Sequence, residues 1–170
     1  TASLHNTLIT GNQAPSFSGM GGKLYCNGGG VFVSGGILNV SSCTFDRNVA
    51  PDGGSAIYAG NSTVTIANSI LCADSTSALV IAPDSVATAV VVTYSDVQGP
   101  SVWPGLGNIV ADPCFADTAG NDYSLLAGSP CRDSGDPFAR LDPDGTRADM
   151  GVWMPDLNRP VEVSIAPARH

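Results

Sequence analysis

A structural unit recurs about every 26 residues through the first hundred positions of the chain. The segment Val40–Asn48 aligns with Ile66–Asp74 at a shift of 26 residues, and a second shift of 26 reaches Val92–Gln98. The segment Leu4–Asn12 has the same pattern 36 residues before Val40. The additional residues fall in 13–29, a Gly-, Ser- and Pro-rich stretch that we predict to be an inserted loop. A fixed period of this size, built from short strands and tight turns, indicates a solenoid.

The apolar runs within each unit are short, rich in β-branched residues and bounded by Gly, Asn, Asp or Pro, which is typical of β-strands. These runs are Ile37–Val40, Thr63–Ile66, Ala78–Ile81 and Ala89–Val92. No segment keeps a 3.6-residue apolar period with caps at both ends, so we predict no helices. With two or three strands per unit, each unit makes one turn of a coil, and successive turns stack in parallel about 4.8 Å apart. The sequence therefore predicts an all-β parallel β-helix of about four coils over residues 1–99.

The repeat alignment also predicts which side chains meet inside the coils. One interior stack contains Leu4, Val40, Ile66 and Val92. A second interior stack contains Ile9, Phe45, Leu71 and Val97. Between the two stacks, a shared turn position is occupied by Asn6, Ser42, Asn68 and Tyr94. We expect a left-handed backbone at this turn, which asparagine tolerates better than most residues, and a structural rather than a catalytic role.

Composition narrows the classes of partner. The chain has 170 residues, of which 43% are hydrophobic and 13% charged, and its net charge is −8. This apolar content is enough for the core of one domain, but no apolar run approaches the roughly 18 residues of a membrane span. An acidic chain without a basic patch repels phosphates, so nucleic-acid binding is excluded. Calcium or neutral glycans fit the charge better.

The period stops after Gly99, and the rest of the chain has a different character. Residues 100–154 carry single apolar anchors between turn residues, and nine of the fifteen acidic residues lie between Asp112 and Asp156. We predict that 100–154 is a capping segment that folds over the last coil and covers its open strand edges, as solenoid ends require. Residues 155–170 are predicted to be a linker or tail.

Several motifs in this C-terminal third resemble the end of secreted bacterial right-handed parallel β-helix proteins of the "choice-of-anchor" type. The motifs are Tyr94-Ser-Asp-Val-Gln-Gly99, Gly107-Asn-Ile-Val-Ala-Asp-Pro-Cys-Phe115, Asp122-Tyr-Ser-Leu125, Gly128-Ser-Pro-Cys-Arg-Asp-Ser-Gly-Asp136 and Asp144-Gly-Thr-Arg-Ala-Asp-Met-Gly151. The resemblance spans about Leu4 to Trp153. It implies a pectate-lyase-like superhelix, export from the cell and attachment to a cell surface, but it implies no particular activity because this fold hosts many functions.

The five cysteines are Cys26, Cys43, Cys72, Cys114 and Cys131. They contain no CxxC pair, and the two histidines stand near the two ends of the chain, so a zinc or iron–sulfur site is not expected. We predict a disulfide between Cys114 and Cys131, where closing the intervening segment stabilises by about 3 kcal/mol. Cys26 and Cys43 form the second candidate pair. The alternative for Cys43 and Cys72 is that each packs inside the coil as a small hydrophobic residue. Disulfides would indicate a secreted or cell-surface protein.

Three aspartates form the candidate metal site. Asp142, Asp144 and Asp149 surround a Gly turn and could offer oxygen ligands to Ca²⁺, although the spacing is not that of an EF-hand. The alternative is a tight Asp-Pro-Asp-Gly turn in which Arg147 pairs with one of the aspartates. The candidate for ligand contact is Trp103, which stands in a loop and could stack on a sugar ring.

No catalytic residue is assigned. Polysaccharide lyases with the fold that this resemblance implies use calcium-binding acidic residues beside an Arg or Lys base on one face of a strand. In this chain Asp46 and Arg47 are adjacent, so two strand positions would point them to opposite faces.

We therefore predict a secreted or surface-anchored bacterial structural and binding module, with a glycan or cell-surface protein as its partner. The first alternative is a fragment of a polysaccharide lyase or hydrolase. The second is a fibre subunit that self-associates end to end through its N-terminal rung, since that rung has an exposed strand edge unless further coils precede it.

Overall fold

The computed structural model describes residues 1–14, 17–19, 22–24, 27–73 and 77–153, so residues 155–170, the predicted tail, lie outside the described residues. The strands that build the coils are β1 (Ala2–His5), β2 (Leu8–Thr10), β5 (Val31–Ser34), β6 (Ile37–Ser41), β7 (Thr44–Asp46), β8 (Ile57–Gly60), β9 (Thr63–Ala67), β10 (Ile70–Leu71), β11 (Leu79–Ile81), β12 (Ala89–Thr93) and β13 (Asp96–Val97). Two hairpins contain the remaining strands, β3 (Phe17–Gly19) with β4 (Gly22–Leu24), and β14 (Phe115–Asp117) with β15 (Asp122–Leu125). Within the described ranges, no helix is long and apolar enough to cross a membrane.

The coil strands form three parallel sheets. The first sheet has the order β1-β6-β9-β12, the second β2-β7-β10-β13 and the third β5-β8-β11. The chain visits the three sheets in turn, and each full circuit from β5 onwards adds one strand to every sheet; β1 and β2 precede these circuits, so the third sheet has three strands and the others four. The result is a parallel β-solenoid of about four coils, which confirms the predicted fold class.

The register of the strands joins the residues that the 26-residue period aligns. In the first sheet the Cα partners are Leu4 with Val40, Val40 with Ile66, and Ile66 with Val92. In the second sheet they are Ile9 with Phe45, Phe45 with Leu71, and Leu71 with Val97. Side chains alternate between the two faces of a strand, so every second residue enters the solenoid interior. Val40, Ile66, Phe45 and Leu71 are at most 2% exposed and form the core with their neighbours.

The corner between the first and second sheets is left-handed in every coil. Asn6, Ser42, Asn68 and Tyr94 have φ angles of 46°, 50°, 48° and 46°. These are the turn positions predicted from the repeat. Asparagine adopts this region at low cost, whereas Ser42 and Tyr94 are held there by the coil geometry around them.

One hairpin is inserted into the coils, and one loop covers the end of the stack. The β3–β4 hairpin lies within the predicted inserted loop and is antiparallel. At the other end of the stack, the residues around Leu106 and Ile109 cover the last rung, because Tyr94 N–H donates to Leu106 O at 2.8 Å and Val97 N–H to Ile109 O at 3.2 Å. This part of the C-terminal segment covers the strand edge of the last rung.

The remainder of the C-terminal segment, 112–153, takes a path that the sequence does not predict. Instead of folding over the last coil, it runs along the outside of the second sheet towards the first coil, and we call it the strap. Its end reaches β7 through a bond of 2.9 Å from Val152 N–H to Thr44 Oγ1, and the first coil through a bond of 2.8 Å from Trp153 N–H to Asn6 Oδ1. The outward side chains of the second sheet explain this path, because several are apolar and the strap buries them. Ile70 and Cys72 form a second small core with Cys131 and Met150 of the strap.

Candidate functional site

The outer face of the first sheet is uncharged, and we call it the open face. Strands β1, β6, β9 and β12 contain no Asp, Glu, Lys or Arg. The register arranges their outward residues in rows across the strands. These rows are Ile37–Thr63–Ala89, Ser3–Asn39–Thr65–Val91 and His5–Ser41–Ala67–Thr93. The first two rows are exposed, so hydroxyl, amide and aliphatic groups repeat at the rung spacing of about 4.8 Å.

A stacked aromatic pair stands on the neighbouring third sheet. Phe32 of β5 and Tyr58 of β8 are register partners, and their ring centroids lie 5.5 Å apart at an interplanar angle of 6°. Phe32 is 58% exposed, which is unusual for a phenylalanine. Val80 of β11 continues the same row. The sequence analysis missed this pair, although a shift of 26 residues aligns Phe32 with Tyr58 and provides the signal that could have found it.

A cavity of about 490 Å³ lies in the seam between the second sheet and the strap, and we call it the seam cavity. The described residues that line it are Asp46, Cys72, Ala73, Gln98, Asp112, Pro113, Cys114, Phe115, Thr118 and Leu126. The first four belong to the coils and the rest to the strap. The repeat predicts the positions of the coil residues that line the cavity. No local sequence pattern predicts that the strap residues lie opposite them.

A hydrogen-bonded cluster beside the cavity fastens the strap to the coils. The Tyr123 hydroxyl donates to Asp46 Oδ2 at 3.0 Å and accepts bonds from Arg47 Nε at 3.1 Å and Nη2 at 2.7 Å. The Thr10 hydroxyl lies 2.9 Å from the Tyr123 hydroxyl oxygen, and Arg47 Nη2 also donates to Asn121 Oδ1 at 3.0 Å. Tyr123 is only 1% exposed, so this cluster is a tether built into the fold.

Asp46 and Arg47 do not both occupy strand positions, so the condition under which they would point to opposite faces is not met. Arg47 directly follows β7 and has a φ of 51°, which breaks the alternation of the strand. Its Nε therefore lies 3.4 Å from Asp46 Oδ2. The guanidinium is occupied by Tyr123, Asn121 and Asp46, and the residues described as lining the cavity include no Lys, Arg or His.

The predicted disulfide between Cys114 and Cys131 is not formed, since both cysteines are free thiols. Cys131 Sγ is buried and donates to Asp96 Oδ2 at 3.5 Å, while Cys114 Sγ lies 3.4 Å from Asp112 O. Burial is the main cause that raises the pKa of the Cys131 thiol. It also raises the pKa of Asp96, to about 6.

Cys43 is also a free thiol, so the second predicted disulfide is not formed, and Cys26 lies outside the described residues. Cys43 packs in the interior of the coils, as its alternative interpretation proposed. Cys72 faces outward instead, against Cys131 and Met150 of the strap. Burial is the first cause that raises the pKa of the Cys72 thiol.

The three aspartates of the predicted calcium site hold a turn. Asp142 Oδ2 accepts from Asp149 N–H at 2.8 Å, Asp144 Oδ1 from Thr146 N–H at 3.0 Å, and Asp149 Oδ1 from Asp133 N–H at 2.7 Å. Among the described residues no group of three His, Cys, Asp or Glu side chains is placed to hold a metal ion. Burial raises the pKa of Asp149 to about 6.

Arg147 contacts the preceding loop and the Tyr94 ring, and its pairing with one of these aspartates stays a prediction. Its Nε donates to Gly135 O at 2.6 Å, and its guanidinium lies 5.9 Å from the centroid of the Tyr94 ring. The backbone bonds that the three aspartates accept match the turn interpretation of this segment.

Trp103 is half-buried against the coil core. It lines a smaller pocket of about 220 Å³ at the end of the stack, together with Leu79, Val97 and Pro104. The described residues that line this pocket include none from the rows of the open face, so the pocket is separate from those hydroxyl groups.

Comparison with known families gives one short match. The repeat model described as the Chlamydia polymorphic membrane protein repeat matches residues 42–60, which run from the corner before β7 to the end of β8. This segment supplies buried structural residues, including Phe45 and Asn48. The match supports a β-helix repeat of a kind found in surface proteins and suggests an outer-membrane or surface context. No curated protein and no solved structure shows significant similarity to the chain.

Proposed function

We propose that this protein is a non-enzymatic surface module whose open face binds a neutral glycan. The observation that carries the proposal is the uncharged, regular surface of β1, β6, β9 and β12. The surface context of the matched repeat supports the location, and the sequence resemblance to "choice-of-anchor" proteins supports export and attachment to a bacterial cell surface.

The chemistry of the open face suits sugars. The hydroxyls of Thr63 and Thr65 and the amide of Asn39 offer both donors and acceptors, which sugar hydroxyls need. Ile37 and Val91 are 45% and 56% exposed and offer apolar contact to the C–H faces of a sugar ring. Because the strands are fixed in parallel ladders, little conformational entropy is lost when a ligand binds.

The charge of the face decides which glycan fits. A protein of net charge −8 repels uronic-acid or sulfated polymers, whereas a neutral chain is unaffected. The Phe32–Tyr58 pair stands on the adjacent sheet and provides an aromatic platform beside the open face, a surface on which sugar rings stack.

The test is a glycan array with the wild-type chain, followed by affinity measurements on the best neutral ligand. Thr65→Glu places a charge at the centre of the open face, and we expect at least a tenfold loss of affinity. Ser101→Glu, in an exposed loop outside the open face, is the matched control and should bind as the wild type does. Unchanged binding by a folded Thr65→Glu variant would refute the proposal.

The fibre alternative is disfavoured by the covered last rung. Leu106 O and Ile109 O accept from the N–H groups of Tyr94 and Val97, so a second copy cannot pair with these groups. Self-association through the N-terminal rung would then join two copies and stop, because two-ended growth needs two open edges. Mass measurement over a concentration series tests this, and long rods would favour the fibre.

The lyase or hydrolase alternative has one observation in its favour, the presence of Asp46 and Asp112 in the same cavity. Its weakness is that Arg47, the nearest base, is occupied by the tether. Release of reducing ends from neutral polysaccharides, abolished by Asp112→Asn, would establish it in place of the binding function.

A further inference from the structure

We propose that the seam cavity is a second binding site that takes the end of a neutral glycan chain, one or two sugar units long. The ligand class rests on the proposed function, whereas the site itself is separate from the open face. The two sites lie on different sheets, so each can be disabled without changing the other.

The size and shape of the cavity fit such a ligand. Its volume of about 490 Å³ lies within the usual range for small-molecule sites, about 300–1,000 Å³. Its coil wall repeats once per rung, since Cys72 N–H bonds to Phe45 O and Gln98 N–H to Leu71 O in successive coils. Asp46, Cys72 and Gln98 therefore follow one another at about 4.8 Å, and their row spans roughly two rungs.

The chemistry of the lining favours a hydroxyl-rich ligand over other classes. Asp46 and Asp112 are acceptors, Gln98 and Thr118 can donate and accept, and Phe115 offers an aromatic surface. Bonds from sugar hydroxyls to carboxylates are charge-assisted and stronger than neutral ones. This mixture resembles neither a purely apolar nor a purely charged pocket.

Charge excludes two other ligand classes. An anion would meet the carboxylate of Asp112, which no Lys, Arg or His among the described lining residues neutralises. A wholly apolar ligand would strip water from both carboxylates without replacing their hydrogen bonds. A cation is the remaining rival, but the guanidinium of Arg47, 3.4 Å from Asp46, already offsets one of the two charges.

The polar groups of the cavity are held in place before a ligand arrives. Tyr123 fixes Asp46, Cys114 N–H donates to Asp112 Oδ1 at 2.9 Å, and Ala73 N–H donates to Gln98 Oε1 at 3.1 Å. Pre-ordered groups lose little entropy on binding, which favours affinity. Asp112 Oδ2 makes no hydrogen bond to a described residue, so this exposed carboxylate retains an oxygen for a ligand.

The experiment uses the complete chain and a panel of neutral disaccharides built from glucose, galactose and N-acetylglucosamine, with binding followed by calorimetry. Thr118→Trp fills the cavity, and we expect at least a tenfold loss of affinity for the disaccharide that binds. Asp112→Asn should weaken binding about fivefold, and Asp84→Asn, an exposed aspartate in another turn, should leave it unchanged.

Three outcomes would overturn the cavity assignment. These are the absence of disaccharide binding by the wild type, unchanged binding by a folded Thr118→Trp variant, and tighter binding of ethylammonium than of any sugar in the panel. Thr65→Glu separates the two proposals, because it should weaken binding of the polymer and leave the disaccharide unaffected. If polymer binding depends on Thr65 but no disaccharide binds, only the cavity proposal fails. If the disaccharide binds in the cavity but Thr65→Glu changes nothing, only the open-face proposal fails.

Discussion

The hydroxyl of Tyr123 donates to the carboxylate of Asp46, 77 residues earlier in the chain, and this contact joins the strap to the second coil. The hydroxyl oxygen of Tyr123 also accepts hydrogen bonds from Arg47, so one buried side chain bonds both the acidic and the basic residue. The pairing adds to the apolar contacts that Ile70 and Cys72 make with the strap, because it satisfies polar groups that burial would otherwise leave without partners.

Tyr123→Phe should destabilise the protein. The substitution keeps the ring but removes the oxygen that serves Asp46, Arg47 and Thr10, and such losses cost about 1.5–3 kcal/mol when charged groups are involved. Chemical denaturation of both proteins gives the difference in the free energy of unfolding.

Tyr58→Phe is the matched control, since the Tyr58 hydroxyl makes no hydrogen bond to a described residue and its ring stacks on the exposed Phe32. Its effect should stay within about 0.5 kcal/mol. Equal effects of the two substitutions would mean that the tether does not stabilise the strap.

A buried asparagine at another corner of the coil makes a similar prediction. Asn48 is 2% exposed, donates to Ile9 O at 2.8 Å and accepts from the backbone and side chain of Asn12 at 3.0 and 2.9 Å. Asn48→Ala leaves a buried carbonyl and an N–H without partners, so a loss of about 2 kcal/mol or more is expected. Thermal denaturation should show this loss of stability. The control is Asn39→Ala, a substitution at an exposed position that should cost less than about 0.5 kcal/mol. A small effect at Asn48 would mean that water replaces its bonds.

The pH dependence of stability follows from Asp96 and Asp149. Burial raises the pKa of both carboxyl groups to about 6 in the folded protein, against about 3.9 in an unfolded chain. The folded state therefore binds these protons more tightly, and their contribution to stability is present below pH 4 and lost as the pH rises through 6. Each group contributes about 1.3 kcal/mol to the change, so the free energy of unfolding should be about 2–3 kcal/mol greater at pH 5 than at pH 7.

The groups around Asp96 allow a control. Ala111 N–H donates to its Oδ1, Cys131 Sγ–H to its Oδ2, and the charge of Asp112 opposes ionisation. Asp96→Asn keeps the amide acceptor and removes the titration, so the variant should lose part of the difference between pH 5 and pH 7. A variant that keeps the full difference would assign the effect to other groups.

The coils could be predicted from the sequence because their information is local and repeated. The alternation of side chains and the 26-residue shift place Phe45 beside Leu71 and give Asn68 its left-handed corner. Both features depend on strand geometry alone. Arg47 shows the limit of this reasoning, because it lies just beyond β7 and has a positive φ, where the alternation of a strand no longer applies.

The strap could not be predicted in the same way. It has no period, and its path depends on single contacts between residues distant in sequence, such as Val152 with Thr44. The strap wall of the seam cavity was therefore invisible. The disulfide prediction is wrong for a related reason. The sequence spacing of Cys114 and Cys131 favours a disulfide, but the Cys114 thiol contacts Asp112 O and the Cys131 thiol contacts Asp96 instead.

Gly105 marks the position where the capping loop comes closest to the last rung. Its φ is +145°, and a Cβ placed there would lie 1.9 Å from Val92 O and 2.6 Å from Asn108 Nδ2. Asn108 in turn donates to Val92 O at 2.9 Å and accepts from Ser95 N–H at 3.1 Å. A side chain at Gly105 therefore pushes the cap away from the strand edge that it covers.

Gly105→Ala should lower the free energy of unfolding by more than about 2 kcal/mol, because the clash is with backbone and cannot be relieved by a rotamer change. Gly128→Ala is the matched control, since a Cβ at Gly128 meets nothing within 4 Å and should change stability by less than about 0.5 kcal/mol. Hydrogen exchange adds a local readout, as the amides of Tyr94 and Val97 should exchange faster in Gly105→Ala if the cap lifts. Protection of these amides equal to that of the wild type would show that the loop accommodates the methyl group and that the close approach is not what holds the last rung covered.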